Sequence, residues 1–150
     1  MAGRHPYVRA RGTVTPREAP GRALLVTTDI ELQGMIEQEL AVLEIDLKVV
    51  RSVAPVIAAL IDDPPPRAQL LLADFDALSP GDVVQLHDLR ERGWFGAILG
   101  LGRVPAEFGT SLQIRRILPR PLAGDAVRRA VAAIGLVDRT RRIATLRNEQ

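Results

Sequence analysis

Cysteine is absent from this chain of 150 residues, and aromatic residues make up only 3% of it. The absence of cysteine excludes disulfides, thiolate nucleophiles and zinc sites built on thiolates. The scarcity of aromatic residues means that a core has to be built from leucine, isoleucine, valine and alanine. No apolar run approaches the roughly 18 residues that a membrane span requires, and the N-terminus lacks the apolar region of a secretory signal. These absences favour a cytoplasmic protein.

Positive charge is concentrated at the two ends of the chain. The 20 basic residues outnumber the 18 acidic ones, which gives a formal net charge of +2, and Lys48 is the single lysine. Basic ends can hold anionic partners, but neither end interleaves aromatic residues or shows a recognition-helix pattern. Nucleic-acid binding through these ends is therefore kept as an alternative. The arginines concerned are Arg4, Arg9, Arg11, Arg17 and Arg22 in the leader and Arg139, Arg141, Arg142 and Arg147 in the tail.

The chain divides into three segments, of which the central one has the size of a single domain. Residues 1–21 contain proline and glycine without hydrophobic periodicity, which predicts a basic leader without regular structure. Residues 22–137 form the predicted domain. Residues 138–150 are a basic tail, in which a sparse apolar stripe is as compatible with an extension of the last helix as with fraying.

Apolar runs and amphipathic segments alternate along the central domain, which predicts five strands and five helices. A helix capped by Thr28 or Asp29 follows the first strand, and Ser52 and Ser79 are the predicted caps of the next two helices. The fourth helix, in "RVPAEFGTSLQ", is interrupted by proline and glycine and is expected to be short or distorted. This alternation is typical of an α/β fold with a doubly wound parallel sheet. The predicted strands lie at 23–26, in "IDLKVVRS", at 69–73, in "WFGAILGLG" and in "IRRILPRP", and the last helix spans 123 to about 137.

The amphipathic pattern also predicts which side chains of the first and last helices face solvent. Glu37, Glu39 and Glu44 are expected on the solvent side of the first helix. Arg128 and Arg129 are expected on the exposed side of the last. The predicted buried positions are Leu32, Met35, Ile36, Leu40 and Leu43 in the first helix and Val127, Ala130, Val131 and Ile134 in the last.

The stretch "QLLLADFDALSP" places one carboxylate, Asp74, directly after a buried strand. In doubly wound proteins, ligand and catalytic groups lie at the carboxyl ends of the strands, near the point where the strand order reverses. Asp74 is therefore the first candidate for a functional acid.

The element order, with "LLLAD" at the third strand and "LPRP" at the fifth, resembles the receiver domain of bacterial two-component response regulators. The resemblance covers about 22–137 and implies a flavodoxin-like sheet of order 2-1-3-4-5. It also implies that Asp74 stands where the family accepts a phosphoryl group from a histidine kinase. A pair of acids after the first strand would hold Mg²⁺ together with that residue, and a hydroxyl ending the fourth strand and an aromatic in the fifth would form the switch.

Several positions of this chain depart from the family pattern. Thr27 and Thr28 stand where the acid pair is expected, so Mg²⁺ binding should be poor, and Ile117 stands at the aromatic position. The family lysine is matched by Arg120, which precedes Pro121, and the peptide bond between them is expected to be cis. The switch hydroxyl falls in "LGLGR", whose candidates are Gly100, Leu101 and Gly102.

These departures favour a degenerate receiver that acts by protein–protein contact without phosphorylation, without a cofactor and without enzymatic activity. In this interpretation Asp74 is a vestigial phosphoacceptor that forms a standing ion pair with Arg120. The alternative is a functional phosphoreceiver at Asp74 that binds Mg²⁺. The expected surface for a protein partner or a homodimer comprises the fourth helix, the fifth strand and the fifth helix, with Arg115, Arg116, Arg128 and Arg129.

Overall fold

A computed structural model describes residues 21–62 and 67–135, which alternate between strands and helices. The five strands are β1 (Arg22–Val26), β2 (Asp46–Val50), β3 (Leu70–Asp74), β4 (Ala97–Leu101) and β5 (Arg116–Leu118). The helices are α1 (Ile30–Val42), α2 (Ala54–Ile57), α3 (Pro80–Glu91), α4 (Ala106–Ser111) and α5 (Ala126–Ala133). A π-helical turn, Ala58–Asp62, continues α2. None of the described helices is both long enough and apolar enough to cross a membrane.

The five strands form one parallel sheet in the order β2-β1-β3-β4-β5. This arrangement confirms the doubly wound fold that the sequence predicts. All five residues of β3, at the centre of the sheet, are buried. The strand order reverses between β1 and β3, so the carboxyl ends of these two strands form the switch point of the sheet.

Side chains of each strand point alternately to the two faces of the sheet, which creates two cores. Leu25 and Leu72 face the side covered by α1 and α5, where they pack with Ile36. Leu24 and Leu71 face the side covered by α2, α3 and α4. Both cores are mainly aliphatic, as the composition predicts. The buried aromatic residues are Phe75 and Trp94, among the residues that the structure describes.

The helix caps agree with the sequence at two of the three predicted positions. Asp29 caps α1, and Ser79 forms a capping box with Asp82 at the start of α3. Ser52 is not the cap of α2, whose start lacks a side-chain cap of its own. Instead, the backbone N–H of Val53 donates to Oδ1 of Asp82 at 3.1 Å, so an acid of α3 satisfies the first turn of α2.

The predicted exposure of Glu39 is wrong, and Arg128 is partly exposed, with 38% of its side chain accessible. Glu39 is only 8% exposed and accepts hydrogen bonds from the backbone N–H and the Nε of Arg128, at 3.2 and 3.4 Å. The physical reason is that α1 and α5 lie side by side on one face of the sheet. Glu39 and Arg128 therefore contact each other between the two helices. The bond to the backbone also satisfies a free N–H in the first turn of α5, where Asp125 makes no cap.

Helix α4 has six residues, which confirms the prediction of a short helix there. Smaller differences from the prediction remain. Strand β5 is limited to three residues, and α5 begins at Ala126, three residues after the predicted start. Met35 is 38% exposed although the helical pattern predicts it to be buried. The predictions for the leader before Gly21, for the tail and for the last residues of the final helix lie outside the described residues.

Candidate functional site

The candidate site lies at the carboxyl ends of β1 and β3, where register brings Thr27 and Asp74 together. Val26 pairs with Ala73 in the parallel ladder, so the next residues of both strands are neighbours that point to the same face. Thr27 and Asp74 are 0% and 1% exposed. The Thr27 hydroxyl donates to Oδ2 of Asp74 at 2.7 Å. A buried carboxylate is thus satisfied by a neutral donor from the adjacent strand.

Both carboxylate oxygens of Asp74 are engaged in hydrogen bonds. Oδ1 accepts the backbone N–H of Asp76 at 3.2 Å. Oδ2 accepts Nη2 of Arg120 at 3.4 Å in addition to the Thr27 hydroxyl. A buried carboxylate without such partners is costly, because it loses the hydration of its charge. These three donors therefore explain how Asp74 is tolerated inside the fold.

One guanidinium group, that of Arg120, bonds to three carboxylates. Its shortest contact joins Nη2 to Oδ2 of Asp29 at 2.9 Å. The contacts with Asp74 and with Oδ2 of Asp76 are both 3.4 Å. The ion pair with Asp74 that the sequence predicts is thus present, but it is one of three and is longer than the pair with Asp29. The planar fork of arginine suits this role, because its donors point toward several acceptors at once.

Asp29 has two functions, one for each carboxylate oxygen. Oδ1 caps α1 by accepting the N–H groups of Glu31 and Leu32 at 3.0 and 3.1 Å, while Oδ2 binds Arg120. The Leu32 N–H is the main cause that lowers the pKa of the Asp29 carboxyl below its ordinary value. Arg120 and the Glu31 N–H lower this pKa further, against an opposing effect of desolvation. Asp29 is therefore ionised at neutral pH, as its salt bridge requires.

The two threonines at the positions predicted for the family acid pair differ in their surroundings. The Thr27 hydroxyl also accepts the backbone N–H of Asp29 at 3.0 Å, and the Thr27 carbonyl accepts Nη1 of Arg51 at 3.0 Å. Thr28 is exposed. Arg51 thus brings a second positive charge to the rim of the site.

Asp76 belongs to the site although the sequence analysis did not select it. Its Oδ1 accepts the backbone N–H of Arg103 at 3.1 Å, and its Oδ2 accepts Arg120. A signal for this role is present in "DFD", because an Asp side chain often accepts the backbone N–H two residues on and so starts a turn. Residues 75–77 form such a turn, in which the Asp76 N–H donates to Oδ1 of Asp74 and the Ala77 N–H donates to the Asp74 carbonyl. This turn at the end of β3 brings the two acids to the same site.

The Asp76 carboxylate occupies the space that a side chain at position 102 would need. A Cβ added to Gly102 would lie 2.4 Å from Oδ2 of Asp76, and Gly102 has a φ of +85°. A Cβ at Gly100 would lie 2.9 Å from Cγ2 of Val104, so this position is also filled. Leu101 is buried in the core beneath α1 and α5. Acidic and aliphatic groups thus pack around the three positions predicted for the family hydroxyl.

The remaining positions of the predicted switch also lack its chemistry. Ile117 on β5 is 41% exposed and carries no polar group. The peptide bond between Arg120 and Pro121 is cis, as the sequence predicts.

The residues at this site do not fit Mg²⁺, the metal that the receiver resemblance implies. Mg²⁺ needs octahedral oxygen ligands, several of them carboxylates or water. Here the three acids converge on a guanidinium, which supplies the compensating charge from within the chain. Within residues 21–62 and 67–135, no group of three or more acidic, histidine or cysteine side chains is arranged to hold a metal ion.

Comparison with solved structures supports the fold. A chemotaxis protein CheY4 from Vibrio cholerae has a TM-score of 0.63 and 15% sequence identity, with 77% of this chain and 98% of that chain covered. The chain has the fold of a response-regulator receiver domain. A receiver domain of a modulated diguanylate cyclase from Desulfovibrio desulfuricans G20 gives a TM-score of 0.61 at 16% identity, over 82% of this chain and 98% of that one.

A CheY-like response regulator from Mesorhizobium loti shares the receiver fold, with a TM-score of 0.57 and 16% identity over 75% of this chain and 97% of that chain. No family model matches the chain, and no curated protein matches it. At these identities the likeness establishes the receiver fold, and the function has to be argued from the site itself.

Proposed function

We propose that this chain is a receiver-like signalling module that acts by binding another protein, without phosphoryl transfer and without other enzymatic activity. The observation that carries the proposal is the position of Arg120 among Asp29, Asp74 and Asp76, within 3.4 Å of each carboxylate. An internal cation holds the site in one arrangement that needs neither metal nor phosphate.

Phosphoryl transfer places specific demands on a carboxylate nucleophile. One of its oxygens has to approach phosphorus in line with the leaving group, and a metal ion has to neutralise the charge on the transferred group. Here Oδ2 of Asp74 is bonded to Thr27 and Arg120, and Oδ1 is bonded to the backbone of Asp76. Attack would require at least one of these bonds to break, and the acids that hold Mg²⁺ in receivers are replaced by Thr27 and Thr28.

A functional phosphoreceiver is the second candidate, and the position of Asp74 at the end of β3 is the observation that favours it. The two candidates are separated by treating the protein with Mg²⁺ and beryllium fluoride, or with Mg²⁺ and acetyl phosphate. Amide chemical shifts around Asp74 report the first treatment, and the intact mass reports the second. We expect no change in either measurement.

Two variants make this experiment decisive. Asp74→Asn removes the only oxygen pair that could form an acylphosphate on β3, so it defines the background of both measurements. A variant with Thr27→Asp, Thr28→Asp and Arg120→Lys restores the family residues and tests whether the fold can still support the chemistry. A metal-dependent mass increase in the unmodified protein that is lost in Asp74→Asn would overturn the proposal.

We further propose that a protein partner or a second copy of the chain binds the surface of α4, β5 and α5. Arg115, Arg116 and Ile117 are exposed there, and Arg129 is exposed while paired with Asp125. Arg128 is partly exposed there and is bonded to Glu39. Charge reversal of Arg115 or of Arg116 should weaken self-association in sedimentation experiments, whereas Arg92→Glu at the C-cap of α3 is the matched control and should not. Equal sedimentation of both variants and the wild type would argue against this surface.

A further inference from the structure

The outer side of α1 is both apolar and acidic. Ile30 is 67% exposed and Val42 is 63% exposed, one at each end of the helix. Glu31 and Glu37 are exposed on the same helix, and Glu44 is exposed just beyond its end. The helix Ile30–Val42 contains no lysine and no arginine.

These side chains form a continuous surface along the helix, which we call the α1 face. Glu31, Met35, Gln38 and Val42 follow one another at spacings of three and four residues, so they lie in one row. A second row beside it comprises Ile30, Gly34, Glu37 and Ala41. The ion pairs among the described residues include none of the acids of the α1 face. Glu37 accepts a hydrogen bond from the neutral side chain of Gln33.

Helices α1 and α5 end at the same edge of the sheet. Each follows a parallel strand and runs back toward the amino-terminal edge, and the two helices lie side by side, joined by the bonds between Glu39 and Arg128. Leu43 after α1 and Ile134 after α5 both pack against the core beneath these helices. Gly135, the last described residue, therefore lies at the edge of the sheet where α1 ends.

The composition of residues 136–150 complements the α1 face in charge and polarity. This segment contains four arginines and only two acids. It also contains four large aliphatic residues: Leu136, Val137, Ile143 and Leu146. The 13 residues of α1 span about 20 Å, at 1.5 Å per residue. A segment of 15 residues is long enough to cover that distance even as a helix.

We propose that residues 136–150 bind along the α1 face of the same chain, with arginines beside Glu31, Glu37 and Glu44 and aliphatic side chains over Ile30 and Val42. The leader is less well placed, because it joins β1 in the middle of the sheet, where the Gly21 carbonyl accepts the Asp46 N–H. The proposal does not depend on phosphorylation. The bound segment would cover α1, whose N-cap Asp29 also binds Arg120. A partner with an acidic surface could displace the segment by binding its arginines.

The absence of cysteine allows a direct test in the full-length protein. A nitroxide attached to Thr145→Cys would be the only label, and its effect on amide signals reports which helix the tail approaches. We expect strong broadening of the amide signals of Glu31, Met35, Gln38 and Val42. The signals of Val84 and Glu91 on α3, across the sheet, should keep their intensity.

Charge reversal tests whether the acids of the α1 face carry the interaction. Replacing Glu31, Glu37 and Glu44 with lysine in the labelled protein should lower the ratio of bound to free tail by roughly tenfold. Each exposed ion pair contributes only modestly to the binding free energy, but the contributions of three pairs add. The matched control replaces Asp62, Glu91 and Glu107 with lysine, which changes the net charge equally at exposed positions away from α1. The control should broaden α1 signals as the wild type does.

Each of the following outcomes would overturn the proposal. Unbroadened α1 signals mean that the tail does not bind there, and wild-type broadening in the triple lysine variant means that these acids do not hold it. A label at Thr13→Cys that broadens the α1 face assigns the surface to the leader instead. Broadening in a mixture of labelled chains and separately isotope-enriched chains shows that the tail of a second copy binds. The dispersion of the amide spectrum confirms in each case that the variant is folded.

Discussion

Thr27 and Asp74 are joined by a hydrogen bond of 2.7 Å between two almost fully buried side chains. A hydroxyl in this position satisfies the carboxylate without adding charge. In a receiver with an acid at this place, two negative groups would face each other and require a cation between them. Here the cation is Arg120, which belongs to the chain.

Removal of the Thr27 hydroxyl should destabilise the fold. We expect Thr27→Val to lower the free energy of unfolding by about 1–3 kcal/mol, because it leaves a buried acceptor short of a partner. Urea unfolding at neutral pH measures the change. Thr28→Val is the matched control and should stay within about 0.5 kcal/mol of the wild type, because Thr28 is exposed. Equal losses in the two variants would contradict the assigned role of Thr27.

Neutralisation of Arg120 should produce a stability loss that depends on pH. Arg120→Gln leaves three carboxylates facing one another, so we expect a loss of about 2 kcal/mol at neutral pH, between the values for exposed and buried pairs. Arg120 is one of the groups that lower the pKa of Asp29, after the Leu32 N–H, so its contribution through Asp29 is present above pH 3.8 and disappears as the pH falls through the folded-state pKa. The loss in Arg120→Gln should therefore shrink in acid. Unfolding measured from about pH 2 to pH 7 tests this, because free carboxyls titrate near pH 4.

Arg103→Gln is the control for Arg120→Gln. Arg103 bonds Asp76 through its backbone N–H, so the change of its side chain removes a charge near the site without breaking that bond. A loss in Arg103→Gln equal to that in Arg120→Gln would show that general charge, rather than the Arg120 contacts, stabilises the site.

A side chain at position 102 should be poorly tolerated. Gly102→Thr has to displace the Asp76 carboxylate and adopt a positive φ, so we expect a loss of about 1–3 kcal/mol in the free energy of unfolding. Gly34→Ala is the comparison, because Gly34 lies within α1 and an added Cβ meets nothing within 4 Å. That substitution should stabilise the protein by about 0.5–1 kcal/mol. Thermal or urea unfolding of both variants measures the contrast.

Asp82 should make the junction of α2 and α3 sensitive to acid. Burial raises the pKa of its carboxyl, but hydrogen bonds from Ser79 and from the Val53 N–H outweigh this effect and lower the pKa below 3.8. Because the folded-state pKa is the lower one, the stabilisation is present above pH 3.8 and disappears as the pH falls through the folded-state value. Asp82→Ala should cost about 1 kcal/mol at neutral pH and less in acid.

Asp88→Ala provides the reference for that pH series. Asp88 pairs with Arg92 on the exposed side of α3 at 2.9 Å, and such pairs contribute little to stability. If both variants lost the same free energy at neutral pH, the contact between Asp82 and Val53 would have no special role.

Much of the site could be predicted from the sequence, and the predictions that failed did so for identifiable physical reasons. Asp74, Arg120 and the cap Asp29 were predicted because each follows from position in an element or from the resemblance. The predicted exposure of Glu39 failed because helical periodicity describes one helix against a sheet and does not include a neighbouring helix such as α5. Ser52 is not the cap because α2 begins one residue later than predicted, at Ala54, with Val53 as its N-cap residue. The Val53 N–H is bonded by Asp82, a residue of α3 that local sequence does not connect with α2.

The sequence by itself determined the α/β fold, the parallel sheet and the neutral residue opposite Asp74, because hydrophobic periodicity and residue identity act locally. Only the tertiary structure decided that Arg120 bonds to Asp29, which is 91 residues away, and that Asp76 joins the same cluster. The physical reason is that strand register and loop conformation determine which charged groups come into contact. No local sequence pattern specifies contacts between residues so far apart in the chain.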